Sequence, residues 1–105
     1  MITYHVLYNP HAGNGRGKEA AYRLATLLPD DKILFQDITE VDDYGGFFDS
    51  LPHDDRVVIA GGDGTLNRFI NDTAPLIIER NIYYFATGSG NDFLTDIGGK
   101  AGDTP

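Results

Sequence analysis

The sequence predicts an α/β fold: a mostly parallel sheet with helices on both faces, in three layers. Three observations predict it. Short apolar runs of strand length alternate with helix-like stretches in the order βαβαβαβ. The surest of these runs, Val57-Val58-Ile59-Ala60, is apolar at every position, as a strand covered on both faces must be. The segments after the first, third and fourth strands are all rich in glycine and small polar residues, and right-handed crossovers would bring them to one edge of the sheet.

Taken in order, residues 2–8 are β-branched and aromatic, and Asn9-Pro10 breaks that first strand before a glycine-rich loop that runs to Gly17. A helix follows, with Ala20, Ala21, Leu24, Leu27 and Leu28 on one face and Pro29 as its stop. Residues 32–38 form the second strand, and residues 41–51 a helix weakened by Gly45-Gly46. After the third strand comes a helical segment carrying Leu66, Phe69 and Ile70, then a fourth strand at residues 82–86. Asn91 or Asp92 is placed to cap a short last helix that ends at Gly98-Gly99.

A chain of 105 residues with 41% hydrophobic and 23% charged residues suits one globular domain. Its apolar runs are far shorter than a membrane span, Met1-Ile2-Thr3-Tyr4-His5 lacks the pattern of a signal peptide, and cysteine is absent, so a cytoplasmic protein without disulfides is expected. The net charge of -8 argues against nucleic acid and strongly anionic membrane surfaces as partners, because both call for a cationic face. A phosphate ligand would have to be held by backbone N–H groups, helix N-termini and a divalent metal that arrives with it.

Gly61-Gly62-Asp63-Gly64-Thr65 lies between the buried strand and a helix. Its glycines would permit positive φ and close approach of a ligand, and the helix N-terminus would offer unpaired N–H groups to an anion. Asp63 could orient a metal-bound phosphate or a reacting hydroxyl, and Thr65 could cap the helix or touch a phosphate oxygen. The plainer alternative is a tight turn with a side-chain bond at Asp63. Gly88-Ser89-Gly90-Asn91-Asp92-Phe93 repeats the arrangement, while Asn9-Pro10-His11-Ala12-Gly13 alone would pass for an ordinary loop. His5, His11 and His53 lack metal-ligand spacing; they are expected at the surface, and no metal ligand is assigned.

Asn9-Pro10-x-x-Gly13, Gly61-Gly62-Asp63-Gly64-Thr65-Leu66-Asn67 and Gly88-Ser89-Gly90-Asn91-Asp92-Phe93, in this order and at these separations, resemble the catalytic domain of bacterial diacylglycerol kinase-type lipid kinases. The Gly-Gly-Asp-Gly-Thr element is shared with NAD kinases and phosphofructokinases. The Gly-x-Gly-Asn-Asp-Phe element is similar to the lipid kinases, with their sphingosine- and ceramide-kinase relatives. The resemblance implies a Rossmann-like N-terminal domain of a two-domain kinase that moves the γ-phosphate of ATP, with Mg2+, to the hydroxyl of diacylglycerol or a related lipid at the inner membrane face. By the same resemblance Asn9, Thr39, the run Gly62, Asp63, Gly64, Thr65, Leu66, Asn67, and Ser89 would contact ATP, with Asp63 close to the transferred phosphate as the catalytic residue. Pro10, Gly13, Gly61, Gly88, Asn91 and Asp92 belong to the same loops and complete the expected nucleotide site.

Three positions depart from the family pattern. Ser89 stands for Thr and keeps a hydroxyl, and Ala86 stands for Pro. Arg68 stands for Glu, so Thr65-x-x-Arg68 cannot form a capping box; Arg68 is either a cation near phosphate or a solvated helix residue. In the family a larger β-rich domain follows and supplies the general base and the acidic magnesium ligands. The end of this chain, residues 98–105, reads as an interdomain loop. Residues 1–105 are therefore expected to be the nucleotide-binding domain alone, without turnover by itself. The alternatives are an NAD kinase-like enzyme and a noncatalytic nucleotide-sensing module, the latter a homodimer through sheet surfaces that the second domain would cover. A dinucleotide oxidoreductase fits least, since Gly13, Gly15 and Gly17 are not spaced as Gly-x-Gly-x-x-Gly.

Overall fold

Strands come first where β-branched and aromatic residues alternate. The computed structural model describes residues 2–11, 17–76, 80–86 and 94–98. Within them the order is β1 (Thr3–Tyr8), α1 (Gly17–Leu27), β2 (Lys32–Asp37), a 3₁₀ turn (Ile38–Glu40), α2 (Tyr44–Ser50), β3 (Arg56–Gly61), α3 (Asp63–Thr73), β4 (Ile82–Ala86) and β5 (Thr95–Gly98). The five strands form one sheet in the order β2-β1-β3-β4-β5. β1 pairs in parallel with both β2 and β3, and β3 with β4; β5 runs antiparallel to β4.

Period-two alternation sends side chains to two cores. Tyr4, Val6, Val58, Ala60 and Phe85 face α1, which contributes Ala21 and Leu24. Leu7, Val57, Ile59 and Ile82 face the other way and meet Phe48 of α2 and Phe69 of α3. The sheet is therefore the middle of three layers, as expected. β3 at its centre is buried from Val57 to Gly61, which is why its sequence is apolar on both faces. Each fully buried Val, Leu, Ile or Phe here contributes roughly 1.5–3 kcal/mol.

Several expectations are corrected. The last helix, expected to end at Gly98-Gly99, is not formed over residues 94–98, which instead include β5; its proposed caps at residues 91 and 92 lie outside the described residues. The reason is visible in the packing: Leu94 packs on one core and Ile97 on the other. A three-residue separation shares one face of a helix but opposite faces of a strand. β5 also covers the edge that β4 would otherwise leave open. The second helix is shorter than residues 41–51 because it starts only where Asp43 accepts a bond from Gly46 N at 3.2 Å, and Gly46 leaves room for that carboxylate. Of the apolar helix residues, Leu27 and Ile70 are exposed, at 39% and 48%. His5 is not a surface residue: its Nε2 lies 2.7 Å from Asp55 Oδ2 and its side chain is only 16% exposed.

Candidate active site

The parallel strands end nearly level. Tyr8 is in register with Asp37 and Ala60, and Gly61 with Ala86. Asn9 and the Gly62 turn therefore leave the sheet at one edge, as expected; the 3₁₀ turn after β2 leaves there too, and β4 ends at the same level at Ala86. β2 lies on one side of β1 and β3 on the other, so the chain reverses its direction across the sheet between β1 and β3. In open α/β sheets the crevice above such a reversal is the usual ligand site.

Side chains from both sides of that crevice meet. Asn9 Nδ2 donates to Thr65 Oγ1 at 3.1 Å, joining the end of β1 to the first turn of α3. Asn9 Oδ1 accepts from His11 N at 2.9 Å, which is the turn that Asn-Pro encodes. On the β2 side, Thr39 donates from both its N and its Oγ1 to Asp37 Oδ1, at 2.8 and 2.6 Å.

Between β3 and α3 only Gly62 intervenes, and it caps the helix without a side-chain bond. The first N–H groups of α3 consequently lack the side-chain acceptor that most helix starts carry. The glycines serve differently from expectation. Gly62 has φ −92° and ψ −173°, an extended conformation open to any residue. Gly61 is needed for space: a Cβ there would lie 2.8 Å from both Cβ and Oγ1 of Thr65. At Gly62 and Gly64 a Cβ would meet nothing within 4 Å, so these two leave open room at the helix start. Thr65 does not cap α3; it stands at the third helical position and accepts from Asn9. Because the helix begins at Asp63, a capping box drawn from Thr65 to residue 68 would be out of register whatever residue 68 is. Asp63, in the first turn, sits where the helix dipole favours a carboxylate.

A cleft of about 510 Å³ opens beside these groups. It collects Asn9, Thr39 and Thr65 from the expected residues, together with Arg68. Ile38, Val41, Tyr44, Phe69 and Leu76 give it apolar walls, and Asp42, Asp43 and Asp72 give it an acidic rim. Gly62, Asp63, Gly64 and Asn67 lie at the start of α3 next to Thr65 rather than in the walls, and Pro10 follows Asn9 half-buried. Gly13, Gly88, Ser89, Asn91 and Asp92 lie outside the described residues.

The family model for the diacylglycerol kinase catalytic domain matches residues 3–104. The chain belongs to that family. No curated protein matches it closely enough to add a named relative. As a diacylglycerol kinase catalytic domain it is a kinase-type domain, and the match spans all three glycine-bearing loops. None of the helices among the described residues is long and apolar enough to cross a membrane.

Two groups that sequence reasoning missed shape the electrostatics of this kinase domain. Tyr84 on β4 donates its hydroxyl to Gly61 O at 3.1 Å, bracing the strand end from which the glycine turn departs. Burial, and secondarily the charge of Asp63, raise the pKa of Tyr84 above its ordinary value. Tyr44 in the cleft is raised likewise, by burial first and by Asp72 second, with Arg68 opposing. Both phenols are therefore neutral donors at physiological pH. An aromatic in an apolar strand reads as core, so no local signal marks Tyr84; Asp43, three residues before Gly46, could have been read as a cap. Among the described residues no group of three or more His, Cys, Asp or Glu could hold a metal ion. The carboxylate of Asp63 beside an open helix start fits a magnesium ion carried on a nucleotide, since Mg2+ often takes one or two carboxylates plus substrate phosphates.

Proposed function

We propose that this domain binds ATP across the β1–β3 crevice and is the nucleotide-binding half of a lipid kinase. The observation that carries the reading is the Asn9–Thr65 bond, which sets a polar cleft wall directly against the uncapped first turn of α3. The apolar walls suit a nucleoside base, and the acidic rim and Thr39 suit ribose hydroxyls rather than phosphate. The phosphates would instead lie against the N–H groups of Gly62, Asp63 and Gly64, where the helix dipole favours negative charge and missing side chains allow close approach. The family resemblance assigns Gly13, Gly88, Ser89, Asn91 and Asp92 to the same nucleotide site, and Pro10 and Gly61 shape the turns that present Asn9 and Thr65.

In the reaction the oxygen of a lipid hydroxyl bonds to the γ-phosphorus, the bond from that phosphorus to the β–γ bridging oxygen breaks, and ADP leaves. Magnesium, when bound, offsets the charge that develops on the departing oxygens. Asp63 orients the metal-bearing phosphate. The hydroxyl proton goes to a base on a β-rich second domain, which the family resemblance implies and which completes the cleft against the membrane surface. The lipid is diacylglycerol or a close relative carrying a free hydroxyl.

Phosphate transfer from labelled ATP with magnesium, offered to diacylglycerol, a sphingoid base, ceramide and NAD, tests this on the intact gene product beside its Asp63→Ala variant. Label in one lipid that disappears in the variant supports the proposal. Label in NAD instead would make it an NAD kinase. ATP binding with no transfer to any acceptor would leave a nucleotide-sensing module.

A further inference from the structure

We propose that Arg68 is the phosphate-binding cation of the cleft and that Asp72 competes with phosphate for it, an inference that rests on the nucleotide reading above. Among the described residues that line the cleft, Arg68 is the one cation, against Asp42, Asp43 and Asp72. A nucleoside could enter such a rim without penalty, whereas a triphosphate would meet three like charges. Arg68 is what changes that balance, at a position where the family resemblance would put Glu.

Its geometry leaves it free to act. The side chain is 84% exposed, and its Nε stands 3.7 Å from Asp72 Oδ2, one turn along α3. That distance is well beyond a charge-assisted hydrogen bond, and exposed ion pairs of this kind hold weakly. Asp72 gives the helix little in return, since it occupies the last turn of α3, where the dipole disfavours a carboxylate. Helical side chains lean toward the N-terminus, so the other arrangement open to Arg68 runs back over Thr65, one turn earlier on the same face. There the guanidinium fork meets the wall formed by the Asn9–Thr65 bond, beside the open start of the helix. Its parallel N–H donors match two oxygens of one phosphate, and a nucleotide phosphate carries more charge than the Asp72 carboxylate it displaces.

The test is equilibrium binding of ATP, ADP and adenosine to the full gene product and to its Arg68→Gln, Arg68→Lys and Asp72→Asn variants, at low and high salt. Arg68→Gln should weaken ATP about five- to tenfold, leave adenosine unchanged, and flatten the salt dependence of ATP binding. Arg68→Lys should fall between, as a point charge without the fork. Asp72→Asn should tighten ATP two- to threefold or so by releasing the guanidinium. An Arg68→Gln protein whose ATP affinity and salt dependence match wild type, or which loses adenosine and ATP equally, overturns the role of Arg68 while leaving the nucleotide site standing. Wild-type protein that binds neither adenosine nor ATP overturns the cleft reading and this inference with it.

Discussion

At the amino ends of the strands side chains hold one another. Ile2 N donates to Asp31 Oδ1, His5 meets Asp55, and Arg56 lies 5.9 and 5.7 Å above the rings of Tyr4 and Tyr83. Arg80 donates to the carbonyls of Phe48, Leu51, Pro52 and Asp55, closing the end of α2 onto the approach to β3. At the carboxyl ends the pattern among the described residues is thinner. Asn9, Thr39 and Tyr84 make bonds that brace the strand ends, while Asp63, Gly64 and the uncapped start of α3 stand open. One end of the sheet is fastened and the other is only aimed, so stability and function should separate along the strand axis.

Substitutions at the two ends test that separation. The largest effect is expected from Asp63→Ala, which should lower phosphate transfer by about 10²–10³-fold, the scale for losing one charge-positioning group. Its unfolding free energy should move by less than about 1 kcal/mol, the scale of a carboxylate at a helix start, and denaturant titration beside the kinase assay reads both. Arg80→Ala should do the reverse, costing about 2–3 kcal/mol of stability by stranding carbonyls that a cation now satisfies, with ATP affinity unchanged. A fall in affinity at full stability would end the division. Gly61→Ala sits on the boundary: the new methyl meets Thr65 at 2.8 Å, so about 1–3 kcal/mol should be lost together with part of the nucleotide affinity, read by thermal melts with and without ATP.

The smallest effect is expected at Tyr84, where Tyr84→Phe removes one hydrogen bond and about 1 kcal/mol. The alkaline limb carries a sign. Because the folded pKa of Tyr84 is raised above the ordinary value near 10.0, its contribution is complete below that pH and is lost as pH climbs through the folded value. Denaturation curves between neutral and alkaline pH should therefore fall less steeply for Tyr84→Phe than for wild type, with Tyr44 contributing to the slope that remains.

What could be read from the sequence is what is local. Val57-Val58-Ile59-Ala60 announces a central strand because burial on both faces excludes polar residues, and the structure buries all four. Asn9 and Thr65 were candidates from their separate motifs, and the structure joins their side chains across 56 positions. Features set by distant partners were not legible. The hydroxyl of Tyr84 finds its acceptor 23 residues away, and β5 is set by its antiparallel pairing with β4. The glycine turn needs no left-handed backbone at Gly62: its demand is the volume of Thr65 against Gly61, while Gly62 and Gly64 leave open room at the helix start.

The Asn9–Thr65 bond also has a consequence in time. It can form only after β1 has paired with β3, and β2 lies between them in the chain, so a long loop must close first. The α1 core draws its residues from the same two strands and from β4, so the cleft wall and that core depend on one closure. Refolding followed by nucleotide binding should therefore keep pace with refolding followed by burial of the α1 core, because neither can precede the pairing of β1 with β3.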